Sequence, residues 1–322
     1  MKILILGGTG LLSSGITKKC LEKGYEVVHF NRGTTNVSDG IQQIKGNRYE
    51  KDELKRALQC KPDVVIDMLC FEPEHARLGV DVFQEQVDQY IYCSTSCVYT
   101  PRIAENMILE DSETKPLTEY GQNKLAAEQI FRKAAEEGKF STTIFRPGHV
   151  YGNDFLVTNL DFEGKFVLAR MLQNKDVILT DGGKRKFQAC HKDNIGNAFA
   201  ECCGNKDAYG KIYNIAGEEF MDWNTVYEIE KSVLNSKSNI IYLKSEDVVR
   251  EDRARFDFLE TYTKYDWMQS MERLKSDLEN YQYEVDFQTG IGQFIEDNYE
   301  MIKKCETNDQ LYDKMISYAS EQ

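Results

Sequence analysis

Tyr120 and Lys124 stand four residues apart in "YGQNK", near the start of a segment with helical period. At that spacing two side chains share one helix face, with Cβ atoms about 5–6 Å apart. A phenol whose ordinary pKa is near 10 is a poor acid–base group at neutral pH, and an adjacent ammonium favours its phenolate. Thr95, in "YCSTSCVY" at the end of an apolar run, is placed to hydrogen-bond the same substrate oxygen. Hydride transfer between a nicotinamide and a carbonyl needs such a proton partner.

A second group of residues is suited to holding the dinucleotide. "MKILILGGTGLLS" passes from an apolar strand through Gly7-x-x-Gly10-x-x-Ser13 into an amphipathic helix, the context in which glycine spacing is informative. Gly7 permits the tight turn, Gly10 lets the backbone approach a pyrophosphate, and the third position needs a small residue where helix packs on strand. Ser13 is small enough, and Gly15 is expected to add a close approach. The second strand ends His29-Phe30-Asn31-Arg32-Gly33, with no acid for the ribose hydroxyls. Asn31 does not repel a 2′-phosphate and Arg32 can pair with one, so the cofactor reads as NAD(P), leaning to NADP. An Arg32 merely solvated at the strand end is the alternative.

These groups need a scaffold that brings strand ends together. Ile3 to Leu6, Val27 to Phe30, Val64 to Met68, Ile91 to Cys93 and Thr142 to Phe145 read as strands buried on both faces. Between them Leu11 to Lys23, Lys51 to Gln59, Glu74 to Gln86 and Glu119 to Glu137 carry helical patterns. Strand and helix in alternation imply an α/β fold: a Rossmann-like, doubly wound parallel sheet covered by helices on both sides. After Tyr151 the pattern loosens into short strands (Val177 to Leu179, Lys211 to Ile215, Asn239 to Leu243) and helices (Phe162 to Gln173, Asn224 to Asn235, Ile291 to Lys304). Residues 1–174 are read as the dinucleotide-binding domain, with 188–216 returning to it; 175–187 and 217–322 form a smaller, discontinuous substrate lobe.

At 322 residues the chain can bury its core without staples. Its nine cysteines contain no CxxC pair and lie mostly in apolar runs, as free thiols in a reducing compartment do, so the cytoplasm is the expected location. Met1 leads straight into an expected core strand, so no signal peptide is expected, and no apolar run reaches the roughly 18 residues of a membrane span. A formal charge of −13 opposes general binding to nucleic acid. Cys190-His191 and Cys202-Cys203 fit no common zinc spacing, so no metal is expected. His29, His75 and His149 stand alone and read as structural, although His149 is near the expected cofactor site. Trp223, Tyr227, Tyr262, Tyr265 and Trp267 read as core, with stacking on a sugar as the alternative.

"GGTGLLSSG", "DVVIDML", "YIYCSTSCVY", "YGQNK", "TIFRPGHVYG", "HKDNIGNAF" and "YNIAGEE", in this order over nearly the whole chain, resemble the extended short-chain dehydrogenase/reductases, the NAD-dependent epimerase/dehydratase group. "FNRG", "CFEPEHAR" and "TEYGQNKLAAE" resemble most a branch that includes chloroplast stem-loop-binding relatives. The resemblance implies that Tyr120 is the acid–base residue, that Lys124 lowers its pKa and binds the nicotinamide ribose, and that Thr95 is the catalytic hydroxyl. It implies cofactor contacts at Gly7, Thr9, Gly10, Leu11, Leu12, Asn31, Arg32, Asn47, Met68, Leu69, Pro147 and His149, and substrate contacts at Ser96, Arg185 and His191. Three positions depart from the family pattern. Ser13 replaces a glycine, Asn47 stands where many members have aspartate, and Phe187 stands where an arginine often takes a diphosphate, with Lys184, Arg185 and Lys186 as neighbouring substitutes.

The resemblance implies an epimerase or reductase of a sugar, in the first place a nucleotide sugar, and leaves room for a homodimer. Ser96-Cys97 stand where a dehydratase usually carries an acidic pair, which disfavours elimination. Two alternatives stay open: a non-catalytic dinucleotide-binding regulator or nucleic-acid-associated factor, and a reductase of a small ketone or aldehyde. Thr95, Tyr120 and Lys124 together favour an enzyme.

Overall fold

Ile3 and Ile5 point into one core of the protein and Leu4 and Leu6 into another, all four fully buried. A strand that is apolar on both faces must be covered twice. In the computed structural model, which describes residues 1–35, 37, 40–160 and 164–320, this strand, β1 (Lys2–Leu6), lies within a seven-stranded sheet. Its companions are β2 (Glu26–Asn31), β3 (Gln42–Lys45), β4 (Val64–Asp67), β5 (Gln89–Cys93), β6 (Ser141–Pro147) and the strand Ile212–Ile215. The order is Ile212–Ile215, β6, β5, β4, β1, β2, β3, and all pairs are parallel. This is the expected doubly wound, Rossmann-like sheet. The order in which strands are added reverses between β1 and β4, which opens a crevice at the carboxyl ends of both. β3 has no sequence signal, because Ile44 is its one apolar residue.

The helices that matter for the site are α1 (Leu11–Glu22), α2 (Lys51–Lys55), α3 (Pro73–Phe83), α4 (Glu119–Glu136), α5 (Gly164–Leu172) and α6 (Lys192–Cys202). Ile16 and Cys20 of α1 and Ile195 and Phe199 of α6 cover the Ile3–Ile5 face; Leu54, Val80, Phe83, Ala127 and Phe131 from α2, α3 and α4 cover the other. The single helix expected over Lys51 to Gln59 divides instead into α2 and a tighter turn, Arg56–Cys60, that ends at Lys61 in the left-handed region. The start expected at Phe162 lies outside the described residues. The apolar side of α5, grouped with the sheet on sequence grounds, packs into the second cluster with Val177, Ile178, Leu179 and Trp223. That cluster is built around the parallel strands Val177–Thr180 and Ile240–Leu243.

Where α1 meets α6 the backbones touch. A Cβ on Gly15 would run into the Lys192 carbonyl, and one on Gly196 into the Gly15 carbonyl. The close approach expected of Gly15 is therefore between two helices and not toward a phosphate.

α4 is anchored through a buried ion pair. Glu128 takes both Arg146 Nε (3.0 Å) and Nη2 (2.6 Å), while Ser94 Oγ donates to the same carboxylate at 2.5 Å. Arg146 Nη1 continues to the Tyr99 hydroxyl and to the Glu110 carbonyl, each at 2.9 Å. Glu128 and Arg146 are almost wholly buried, so helix, sheet and pocket loop are held in one register. Glu128→Ala would leave a buried guanidinium without its carboxylate, a change that costs roughly 3–5 kcal/mol. Thermal unfolding of this variant is expected well below wild type; an unaltered midpoint would show that the pair holds nothing in place.

Candidate active site

The glycine turn follows β1 at the mouth of the crevice. Gly7 sits at φ +88°, and its N–H donates to the Phe30 carbonyl at 2.9 Å, so turn and β2 are tied together. Ser13 is buried and its hydroxyl donates to the Gly7 carbonyl at 2.6 Å. The residue that departs from the glycine pattern thus binds the first turn of the helix to the end of the strand. α1 begins at Gly10 with no side-chain cap and no acid in its first turn, leaving its N–H groups available to an anion.

Beside this turn runs a groove lined by Gly7, Gly10, Leu11, Leu12, Met68, Leu69, Lys124 and Pro147, all expected cofactor contacts. Phe71, Ser94 and Val150, which lie in quoted motifs but were not expected as contacts, also line it. At the end of β2, Asn31 Oδ1 accepts from Gly33 N–H (2.9 Å) and Gln43 Nε2 (2.7 Å), while its buried Nδ2 has no partner among the described residues. Arg32 is exposed next to it. An uncapped helix N-terminus, a glycine turn and an orphaned amide at β2 together fit a dinucleotide.

The catalytic candidates lie at the inner end of the groove. Thr118 caps α4, its hydroxyl accepting from Gly121 N–H at 3.2 Å, and Gly121 seats the helix directly on the Cys97 carbonyl. Tyr120 is thereby brought against Thr95 at the end of β5. Tyr120 is 45 % exposed; burial of its phenol pushes the pKa above the ordinary range, the Cys97 and Cys93 thiols add to this, and the hydrogen bond with Thr95 opposes it. Lys124 Nζ donates to the carbonyls of Cys93 (2.5 Å) and Cys70 (2.9 Å) and lies 4.6 Å over the Tyr92 ring. Burial lowers its pKa. The ammonium expected to act on the phenol thus has two main-chain carbonyls as its hydrogen-bond partners.

On the far side of Thr95 and Tyr120 opens a second space, a cavity of about 380 Å³ walled by aromatic and aliphatic side chains, among them Phe155, Val157, Phe258, Tyr262 and Trp267. Thr95 and Tyr120 border both spaces. His149, expected at the cofactor, instead lines this cavity, packed against Phe187 (4.5 Å between ring centroids) and Tyr262 (4.7 Å). Burial pushes its imidazole down to about 3.

Several expected contacts have other tasks. The Ser96 hydroxyl is bonded to Tyr262 at 3.0 Å and buried behind the wall. His191 Nδ1 caps α6 by accepting from Asp193 N–H at 3.3 Å. Arg185 faces Asp266 at 4.0 Å and lines neither space. Asn47 shapes the turn before α2, its N–H donating to Glu53 and its Oδ1 accepting from Tyr49 N–H, and Thr9 lines a neighbouring hollow with Thr17 and His29. Phe187 is buried in a stack with Trp223 at 4.2 Å. Trp223 and Tyr227 belong to the core, whereas Tyr262 and Trp267 also reach the cavity. The cavity wall comes from segments near residues 95–101, 117–120, 148–157 and 258–267, a convergence that no local pattern announces.

Comparison with known proteins agrees with the fold. The chain is 26% identical over 254 residues to 2′-dehydrokanamycin reductase of Streptomyces kanamyceticus, covering 76% of this chain and 70% of that one. It is 25% identical to the chloroplast stem-loop binding protein of 41 kDa b of Arabidopsis thaliana, the match spanning 69% of this chain and 60% of the relative. Its fold is shared with UDP-glucose 4-epimerase of Thermotoga maritima (TM-score 0.75, 16% identity, 94% and 100% of the two chains). A UDP-glucuronic acid 4-epimerase of Bacillus cereus solved with NAD is similar too (TM-score 0.70, 18% identity, 93% and 100%). No helix among the described residues is long and apolar enough to cross a membrane. The sequence profile of the NAD dependent epimerase/dehydratase family matches residues 3–81 and 74–216, and with the sheet, the glycine turn and the groove in place the chain belongs to that family of enzymes.

Proposed function

We propose that the protein is an NAD(P)-dependent reductase or epimerase of a sugar-like carbonyl substrate, with Thr95, Tyr120 and Lys124 as its working residues. The observation that carries this reading is the position of Thr95 and Tyr120, whose side chains border the dinucleotide groove on one side and the apolar cavity on the other. A carbonyl in that cavity meets its proton partner at the boundary. The relatives named for UDP-sugar epimerisation and for reduction of a dehydro-aminoglycoside support substrates of this general kind. The charge of −13 argues against the nucleic-acid role in the name of the chloroplast relative.

The N-terminus of α1 and Gly7 to Leu12 would hold the pyrophosphate, Met68, Leu69 and Pro147 the nicotinamide end, and Lys124 the ribose. When bound, the nicotinamide supplies or accepts the hydride. Thr95 orients the substrate oxygen, and Tyr120 gives it a proton as negative charge develops there, or takes one in the oxidative direction. A phenol raised by burial stays protonated at neutral pH, the form that reduction requires. No carboxylate lines the described part of the cavity, so the proton abstraction of an elimination finds no acidic side chain there.

NADP is the proposed preference. Arg32 is exposed directly after β2 and is not among the residues that line the groove, and a guanidinium makes charge-assisted, bidentate contacts with a 2′-phosphate that NAD does not offer.

Tyr120→Phe is expected to leave cofactor affinity nearly intact and to lower turnover by about 10²–10⁴-fold, the usual contribution of a general acid–base group. Steady-state rates with NADPH and a carbonyl substrate check this, and a variant that keeps most of its turnover removes Tyr120 from the chemistry. Arg32→Ala is expected to weaken NADP by about 1.5–3 kcal/mol, as loss of hydrogen bonds to a charged group does, and NAD far less. Titrating both cofactors into wild type and variant at one ionic strength reads the difference; equal losses would mean that Arg32 faces solvent.

A further inference from the structure

The cavity beyond Tyr120 has two properties that the proposed hydride transfer does not need. First, its described lining contains no charged side chain: the walls are Phe155, Val157, Phe258, Tyr262, Trp267 and a few small or neutral residues. None of the basic residues beside Phe187 in sequence lines the cavity. Arg185 faces Asp266 at 4.0 Å, Lys184 and Lys186 are exposed to solvent, and Phe187 is locked between Trp223 and His149. A diphosphate moved into such a space would lose its hydration and gain no cation, which is strongly unfavourable.

Second, His149 is buried, lines this cavity, and neither of its ring nitrogens has a partner among the described residues. Buried polar atoms are almost always hydrogen-bonded, and a neutral imidazole offers one donor and one acceptor. A hydroxyl group, itself donor and acceptor, matches it. Phe258, Tyr262 and Trp267 form a stacked series (5.2 Å and 4.5 Å between successive centroids) that gives the cavity an aromatic wall for an apolar surface to pack against.

We propose that the substrate is an uncharged, hydroxylated ring ketone or the corresponding alcohol and not a nucleoside diphosphate sugar, its carbonyl at Thr95 and Tyr120, one hydroxyl on His149 and its apolar face against the Phe258–Tyr262–Trp267 series. This rests on the hydride-transfer reading of the same site. It assigns His149 to substrate positioning.

The test measures binding to the NADP-loaded protein by calorimetry, with pentahydroxycyclohexanone, cyclohexanone and UDP-glucose as probes. The hydroxylated ketone is expected to bind more tightly than cyclohexanone, and UDP-glucose is expected to show no saturable binding in the millimolar range. In His149→Phe, which keeps a ring in the aromatic stack, the preference for the hydroxylated over the bare ketone is expected to fall by about three- to tenfold, the range of one hydrogen bond. Saturable UDP-glucose binding, failure of both ketones to bind, or an unchanged preference in His149→Phe each overturns the proposal. NADPH oxidation is followed in parallel: ketone binding without turnover would overturn the hydride-transfer reading alone and leave the cavity's specificity standing.

Discussion

The Glu128–Arg146 pair joins the helix that carries Tyr120 and Lys124 to the strand that leads into the Pro147–His149 loop. With Ser94 on the same carboxylate and Tyr99 on the same guanidinium, it also includes the end of β5 and, through Asn214, the strand Ile212–Ile215. A buried ion pair adds little to stability compared with well-packed apolar residues, since desolvation offsets the attraction. Its contribution here is directional. Bidentate geometry admits one register between α4 and the sheet, and the separation of Tyr120 from Thr95 follows from that register.

Burial sets the chemistry of the site more than charge–charge contact does. Lys124 is a buried cation with no carboxylate within bonding distance among the described residues, held by two main-chain carbonyls and the face of Tyr92, an arrangement in which the ring quadrupole partly replaces a counter-ion. Burial raises the Tyr120 phenol and lowers the His149 imidazole, which favours the neutral form of each. A wall of neutral donors and acceptors around an apolar cavity suits a reaction in which charge appears only transiently on one oxygen.

Small residues decide how closely the site's supports approach. Gly121 lets α4 rest on the Cys97 carbonyl, Gly15 and Gly196 let α1 meet α6, and the Ser13 hydroxyl binds the turn it sits in. Each is a close contact between main-chain segments where a larger side chain would push the catalytic elements apart.

The sheet, its helices and the glycine turn were legible in the sequence, because period-two and helical apolar patterns and a strand–turn–helix context are local properties. So was the Tyr120–Lys124 spacing, since residues four apart on one helix are neighbours whatever the rest of the chain does. What Lys124 touches was not legible. Its partners, Cys70 and Cys93, are separated from it by 54 and 31 residues and meet it only through the sheet order. The same limit applies to His191, which caps a helix, and to His149, which turned from the cofactor side to the cavity. Residue type and chain position leave a histidine several tasks, and the long-range packing around it selects one. Burial, too, belongs to the tertiary structure: the lowered pKa of His149 and the uncharged lining of the cavity follow from which distant segments come together there.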